Sequence, residues 1–201
     1  MPRLDRFDPE ANISDLIDYH GRTQAGAEAL VFEDERILWG DFDRRVNRIA
    51  NGLIALGVGR NDKVAILAAT NPDYFCTFFG ILRAGACAVP LSGMASAESL
   101  ELMIKDSGAK ALFVSKSTKG LIDQINDRLP TVLPGGRFAY DFTDDTWQSF
   151  AAWEDAQSTD HPGTEIDVMD DFNIIYSSGT TGVPKGILHD HRTRISYWAT
   201  R

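Results

Sequence analysis

The sequence predicts an α/β fold, a mostly parallel sheet with helices on both faces. Three observations carry that prediction. Short apolar runs alternate with segments of helical periodicity from Lys63 to Leu129. Runs such as Val64-Ala65-Ile66-Leu67 and Ala111-Leu112-Phe113-Val114 are apolar at every position, so both strand faces are expected to be buried. Caps and stops also punctuate the helices: Asn71-Pro72 and Ser96 at starts, Gly85 and Gly108 at ends.

In chain order, Asn12 to His20 reads as a short helix with Ile13, Leu16 and Ile17 on one side. Ala29–Phe32 and Ile37–Trp39 flank a polar tetrapeptide and suggest a β-hairpin. From Asp41, the spacing of Phe42, Val46, Ile49, Leu53 and Leu56 predicts a helix stopped by Gly57. Lys63–Ala69 is a strand, Asp73–Ala84 a helix, and Ala86–Val89 a strand ended by Pro90. Ser96 caps a helix carrying Leu100, Met103 and Ile104. Ala111–Val114 is the next strand, and Leu121, Ile122, Ile125 and Leu129 mark the next helix. Residues 131–171 read as surface connection, with a short helix near Trp147–Trp153. Phe172–Tyr176 is a buried strand, and a helix is expected to follow His191.

With 201 residues, 43% hydrophobic and 24% charged, the composition is that of one ordinary globular domain or a large piece of one. A net charge of −9 argues against nucleic acid or an anionic membrane as partner. No signal peptide and no stretch of transmembrane length is evident, so a cytoplasmic location is expected. Cys76 and Cys87 each sit in an apolar run and read as buried free thiols.

The chemistry concentrates in Tyr176-Ser177-Ser178-Gly179-Thr180-Thr181-Gly182-Val183-Pro184-Lys185-Gly186. Four hydroxyls, glycines that free backbone N–H groups, and a lysine make a loop suited to polyphosphate. The P-loop pattern G-x-x-x-x-G-K-[ST] is the first rival. It fails at Pro184, at Gly186, and in the strand-like Ile187-Leu188 that follows.

This ordered loop, with His191 five residues beyond Gly186, resembles the signature of the adenylate-forming enzymes, which include acyl-CoA synthetases, peptide-synthetase adenylation domains and firefly luciferases. Ile81-Leu82-Arg83-Ala84-Gly85-Ala86-Cys87-Ala88-Val89-Pro90-Leu91 is similar to a second family segment, with Arg83 where lysine is common. Ile37–Phe42 matches a third more loosely. The resemblance implies that residues 1–201 are the N-terminal part of the large AMP-binding domain, with its remainder and a small lid domain beyond Arg201. It implies an ATP-dependent ligase that activates a small carboxylic acid as acyl-adenylate and passes it to a thiol, usually coenzyme A. Residues 1–201 alone are expected to be inactive and to leave apolar surface uncovered.

By resemblance, Ser177, Ser178, Gly179, Thr180, Thr181, Gly182 and Lys185 surround the ATP phosphates. Thr181 and Lys185 are the catalytic candidates and Thr180 the Mg²⁺ ligand. His189 and His191, two apart, would share a strand face but lack further ligands for zinc. His191 matches a family histidine read as structural. Asp167, Asp170 and Asp171 read as solvated, and Tyr74, Phe75, Phe78 and Phe79 as core packing. Two alternatives stay open: a nucleotide-binding or interaction module without catalysis, and a peptide-synthetase-type adenylation domain.

Overall fold

The computed structural model describes residues 12–177 and 184–199. Helix α1 (Ile13–Thr23) is capped by Asn12, whose side chain accepts from the Ser14 and Asp15 N–H groups while Asp15 accepts from the Asn12 N–H. Strands β1 (Glu28–Phe32) and β2 (Glu35–Leu38) form the expected antiparallel hairpin. Trp39 is not its last residue. It opens α2 (Trp39–Ala55), which starts two residues before Asp41 because the Trp39 and Gly40 N–H groups donate to the Ala27 and Ala25 carbonyls.

The sheet proper begins with β3 (Lys63–Leu67), α3 (Pro72–Arg83), β4 (Cys87–Pro90), α4 (Ala97–Ser107) and β5 (Ala111–Val114). Asn71 and Ser96 cap α3 and α4 through their side chains, and Gly108 closes α4 at φ +67°. Strand order is β7-β6-β5-β3-β4-β8-β9, parallel except for the last pair. Alternate residues enter different cores, as expected for a doubly covered sheet. Val64 and Ile66 pack with Phe42, Val46, Ile49 and Leu53 of α2, whereas Ala65 and Leu67 pack with Leu100, Ile104 and Ile122 on the other face. Cys76 and Cys87 are buried and free, and burial pushes each thiol up to about 12. Tyr74, Phe78 and Phe79 join the core, while Phe75 is 36% exposed.

Two expectations are corrected downstream. Helix α5 spans Lys116–Asp123, not Leu121–Leu129. Its apolar period continues inward through Ile125 and Leu129, but Ile125 leaves helical geometry at φ −128° and a 3₁₀ turn (Asn126–Arg128) carries the chain on. Residues 131–171 are also more than surface connection. They supply β6 (Arg137–Ala139), β7 (Gln148–Ser149) and α6 (Phe150–Asp155). Phe138 stacks on Phe113 at 4.5 Å, and Trp153 lies against Gly52, where any Cβ would collide with the indole. Strands of three and two residues are too short for periodicity to reveal.

Arg83 joins the helical layer. Its side chain is fully buried, with a 2.5 Å ion pair to Asp43 and hydrogen bonds to Asn47 Oδ1, Ser14 Oγ and the Ser14 carbonyl. One guanidinium thereby binds α1, α2 and α3 together. At the far side, β8 (Asp171–Ser177) and β9 (Lys185–Asp190) form a hairpin leading into α7 (His191–Ala199). His191 is 1% exposed and packs edge-on against Phe172 at 5.1 Å. Burial pulls its imidazole down to about 4, opposed by Asp170, Asp15 and Asp190. Ile175, Ile187 and Leu188 remain 39%, 48% and 52% exposed. Among the described residues no helix is long and apolar enough to cross a membrane.

Two outcomes are expected. Arg83→Ala should lower unfolding free energy by about 3–5 kcal/mol, because Asp43 and Asn47 lose their shared partner. Arg83→Lys should still cost about 1–3 kcal/mol, since one ammonium cannot span these acceptors. Urea titration checks both, and a wild-type midpoint for Arg83→Lys would contradict the fork geometry. For His191, the unfolded chain takes up a proton below about 6.5 and the folded chain only near 4. Stability from this residue is therefore complete above pH 6.5 and falls as pH drops toward 4, by on the order of 3 kcal/mol. Unfolding curves measured across that window should be flatter for His191→Phe than for wild type.

Candidate functional site

The predicted phosphate loop joins two antiparallel neighbours. Asn173, Ile174, Ile175, Tyr176 and Ser177 of β8 face His189, Leu188, Ile187, Gly186 and Lys185 of β9. Ser177 and Lys185 are thus direct cross-strand partners, and side chains so paired start about 5 Å apart on one face. Both are exposed, and Lys185 forms no ion pair among the described residues. Lys185 opens a strand rather than a helix, which agrees with the rejection of a P-loop. Ser178, Gly179, Thr180, Thr181 and Gly182 lie outside the described residues.

The hairpin's base is fixed by polar contacts that the sequence reading missed. Asp170 was expected to be solvated, yet it is only 4% exposed. Its carboxylate accepts from Arg60 at 2.8 Å, from Asn61, and from the Asp167 N–H. Burial alone would raise the Asp170 pKa, but the Arg60 guanidinium and the Asp167 N–H hold it below the usual carboxylate value. Asp171 pairs with Lys63 at 3.0 Å, and its N–H donates to Asn61 Oδ1. Asn61 manages this from the left-handed region, at φ +60°, which asparagine tolerates. These contacts tie the start of β8 to the turn before β3. An acidic cluster beside a strand carries no spacing signal for such partners.

His189 and His191 do not share a strand face. His189 stays on β9 with its Nδ1 beside Arg194 at 3.3 Å, while His191 begins α7 and enters the core. Among the described residues no three His, Cys, Asp or Glu side chains converge as a metal site.

A cavity of about 700 Å³ opens at the outer end of β8. Its rim includes Ser177 and Pro184, the described residues on either side of the loop. Pro90, Leu91, Met103 and Ile175 give it apolar walls, and Ser92, Ser96 and Ser99 add hydroxyls. The cavity lies past the carboxyl ends of β4 and β8, where open α/β sheets bind ligands. The serine-rich turn between a parallel strand and its helix was the available sequence signal. Hydroxyls at the edge of an apolar cleft, with Lys185 the cross-strand partner of Ser177, suit a phosphorylated ligand with an apolar neighbour.

Comparison with known proteins identifies the family and the fold. The chain is 32% identical over 173 residues to the long-chain-fatty-acid–CoA ligase FadD13 of Mycobacterium tuberculosis, covering 83% of this chain and 33% of that protein. It is 29% identical over 186 residues to the fatty acid–[acyl-carrier-protein] ligase ScoC of Streptomyces coeruleorubidus, covering 91% of this chain and 33% of ScoC. The chain therefore spans about a third of the length of these curated relatives. Its fold superimposes on the anthranilate CoA ligase AuaEII in complex with anthranoyl-AMP with a TM-score of 0.86 at 26% identity, over 95% of this chain and 37% of that structure. The AMP-binding enzyme profile matches residues 17–200, and the chain belongs to that family, on its acyl-CoA ligase-like side.

Proposed function

We propose that the chain is part of an ATP-dependent carboxylic acid–coenzyme A ligase. The observation that carries this is exposed Ser177 at the rim of an apolar cavity, paired across the ladder with Lys185, whose ammonium has no ion pair among the described residues. In the first half-reaction a carboxylate oxygen attacks the α-phosphorus of ATP. The bridging P–O bond breaks and pyrophosphate leaves. In the second, a thiolate attacks the acyl carbon and AMP departs. Both reactants of the first step are anionic, so donors must be in place before charge moves onto pyrophosphate.

In this reading Lys185 neutralises the departing phosphates, and Thr181 is the second catalytic residue. Ser177, Ser178 and Thr180 donate hydroxyls, and Gly179 and Gly182 free backbone N–H groups for the same phosphates. Thr180 would hold the Mg²⁺ that accompanies ATP, which would supply further charge neutralisation. FadD13 and AuaEII are named as CoA ligases, which favours coenzyme A as thiol; ScoC, named for a carrier protein, marks the alternative acceptor. The acid is a small carboxylate, and the location is cytoplasmic. Residues 1–201 alone do not turn over, because the rest of the relatives' length is needed.

Calorimetric titration with Mg·ATP tests the site. Lys185→Ala and Thr180→Ala should each weaken binding about tenfold or more, the loss of one charge-assisted contact. A protein of the relatives' full length should exchange pyrophosphate into ATP only when a carboxylic acid is supplied. Binding without exchange across a broad acid panel would instead favour a nucleotide-binding module without catalysis.

A further inference from the structure

Next to the first end of the phosphate loop lies a contact that the proposed chemistry does not use. Tyr176 precedes Ser177, and its ring turns toward α4. Its hydroxyl lies 2.6 Å from Asp106 Oδ2 and 3.1 Å from the Met103 carbonyl oxygen. Both groups are acceptors, and the phenol has one proton, so it donates to the Asp106 carboxylate with the Met103 carbonyl as alternative. Burial raises the Tyr176 pKa, and Asp106 raises it further, so the phenol keeps its proton across the neutral range.

Gly186 leaves the ring its place. It faces Tyr176 across the ladder, and a Cβ there would stand 3.1 and 3.2 Å from the ring's Cε1 and Cζ, and 3.0 Å from Ile174 Cγ2. Gly186 is not among the residues of positive φ, so close approach rather than backbone freedom accounts for the glycine.

The need for such a tie follows from the sheet. Strand β8 is registered to β4 at one pair only, Ala88 with Asn173. Beyond it the β8 backbone has β9 as its sole ladder partner among the described residues, and Ile175 and Ser177 are exposed. Ile174 packs among the apolar residues of α4, and Tyr176, one pair nearer the tip, adds a polar tie to the same helix.

We infer that Tyr176, held by Asp106 and accommodated by Gly186, is a positioning residue that sets where Ser177 stands at the cavity rim and where Lys185 stands across the ladder from it. The inference rests on the phosphate-loop reading above.

The test measures Mg·ATP affinity and thermal midpoint together on this chain. Tyr176→Phe keeps the ring and removes the hydroxyl; Asp106→Ala removes the acceptor and Asp106→Asn retains one. Tyr176→Phe and Asp106→Ala should each weaken Mg·ATP about tenfold with little change in midpoint, and the double variant should be no weaker than either. Asp106→Asn should keep most of the affinity. Wild-type affinity in Tyr176→Phe and Asp106→Ala, beside a loss in Lys185→Ala, would overturn the positioning role and leave the phosphate site standing. Affinity that falls only in step with the midpoint would reduce Tyr176 to a structural part and also overturn it. No binding by the wild-type chain, or no effect of Lys185→Ala, would remove the phosphate reading and this inference with it.

Discussion

A guanidinium cut off from water has to find every partner inside the protein, and Arg83 imposes that requirement on three helices at once. Its acceptors come from Ser14 on α1 and from Asp43 and Asn47 on α2, while its own backbone ends α3. None of these helices can shift without stranding a buried charge, a loss far larger than a surface ion pair would entail. The apolar contacts of α2 and α3 beneath, including Gly80 against Ile49, set the distance between the helices. The arginine sets their register. Strands β3 and β4 then receive a helical layer of fixed shape, and Gly85, at φ +77°, returns the chain from α3 into β4.

The same economy appears at the other face of the site. Asn61 serves several elements from one left-handed position: its N–H donates to the Gly85 carbonyl, its amide to Asp170, and its Oδ1 accepts from Asp171. The turn before β3, the turn before β4 and the start of β8 therefore meet at one residue. The antiparallel hairpin is bound to an otherwise parallel sheet largely through such side-chain contacts, since the backbone ladder between β4 and β8 is so brief.

Much of this was legible in the residues. Val64–Leu67 and Ala111–Val114 announced strands buried on both faces, Asn71-Pro72 and Ser96 marked helix starts that the structure places there, and the order of hydroxyls, glycines and lysine after Tyr176 identified the family. What stayed hidden depends on long-range partners. Arg83 reads as a charge in an apolar segment, and nothing local says that Asp43 lies beside it. Asp170 looks like any acidic surface residue until Arg60 and Asn61 close over it. Strands β6 and β7 are too short for an alternating pattern to repeat and reveal them. The cavity beside Ser177 draws its walls from β4, α4 and β8, segments some eighty residues apart in the chain, which no local pattern brings together.

The hairpin also has the mechanics of a lever. Its fulcrum is the anchored pair Asp170 and Asp171, and from Asp171 to Ser177 an extended strand reaches about 20 Å. A rotation of about three degrees at the base carries Ser177 and Lys185 through roughly 1 Å at the tip, enough to spoil alignment with a phosphate. Accuracy at the ligand is then governed by stiffness along β8 as much as by which groups stand at its end. Substitutions at the fulcrum, well away from any phosphate, would be felt as lost alignment rather than as lost contacts.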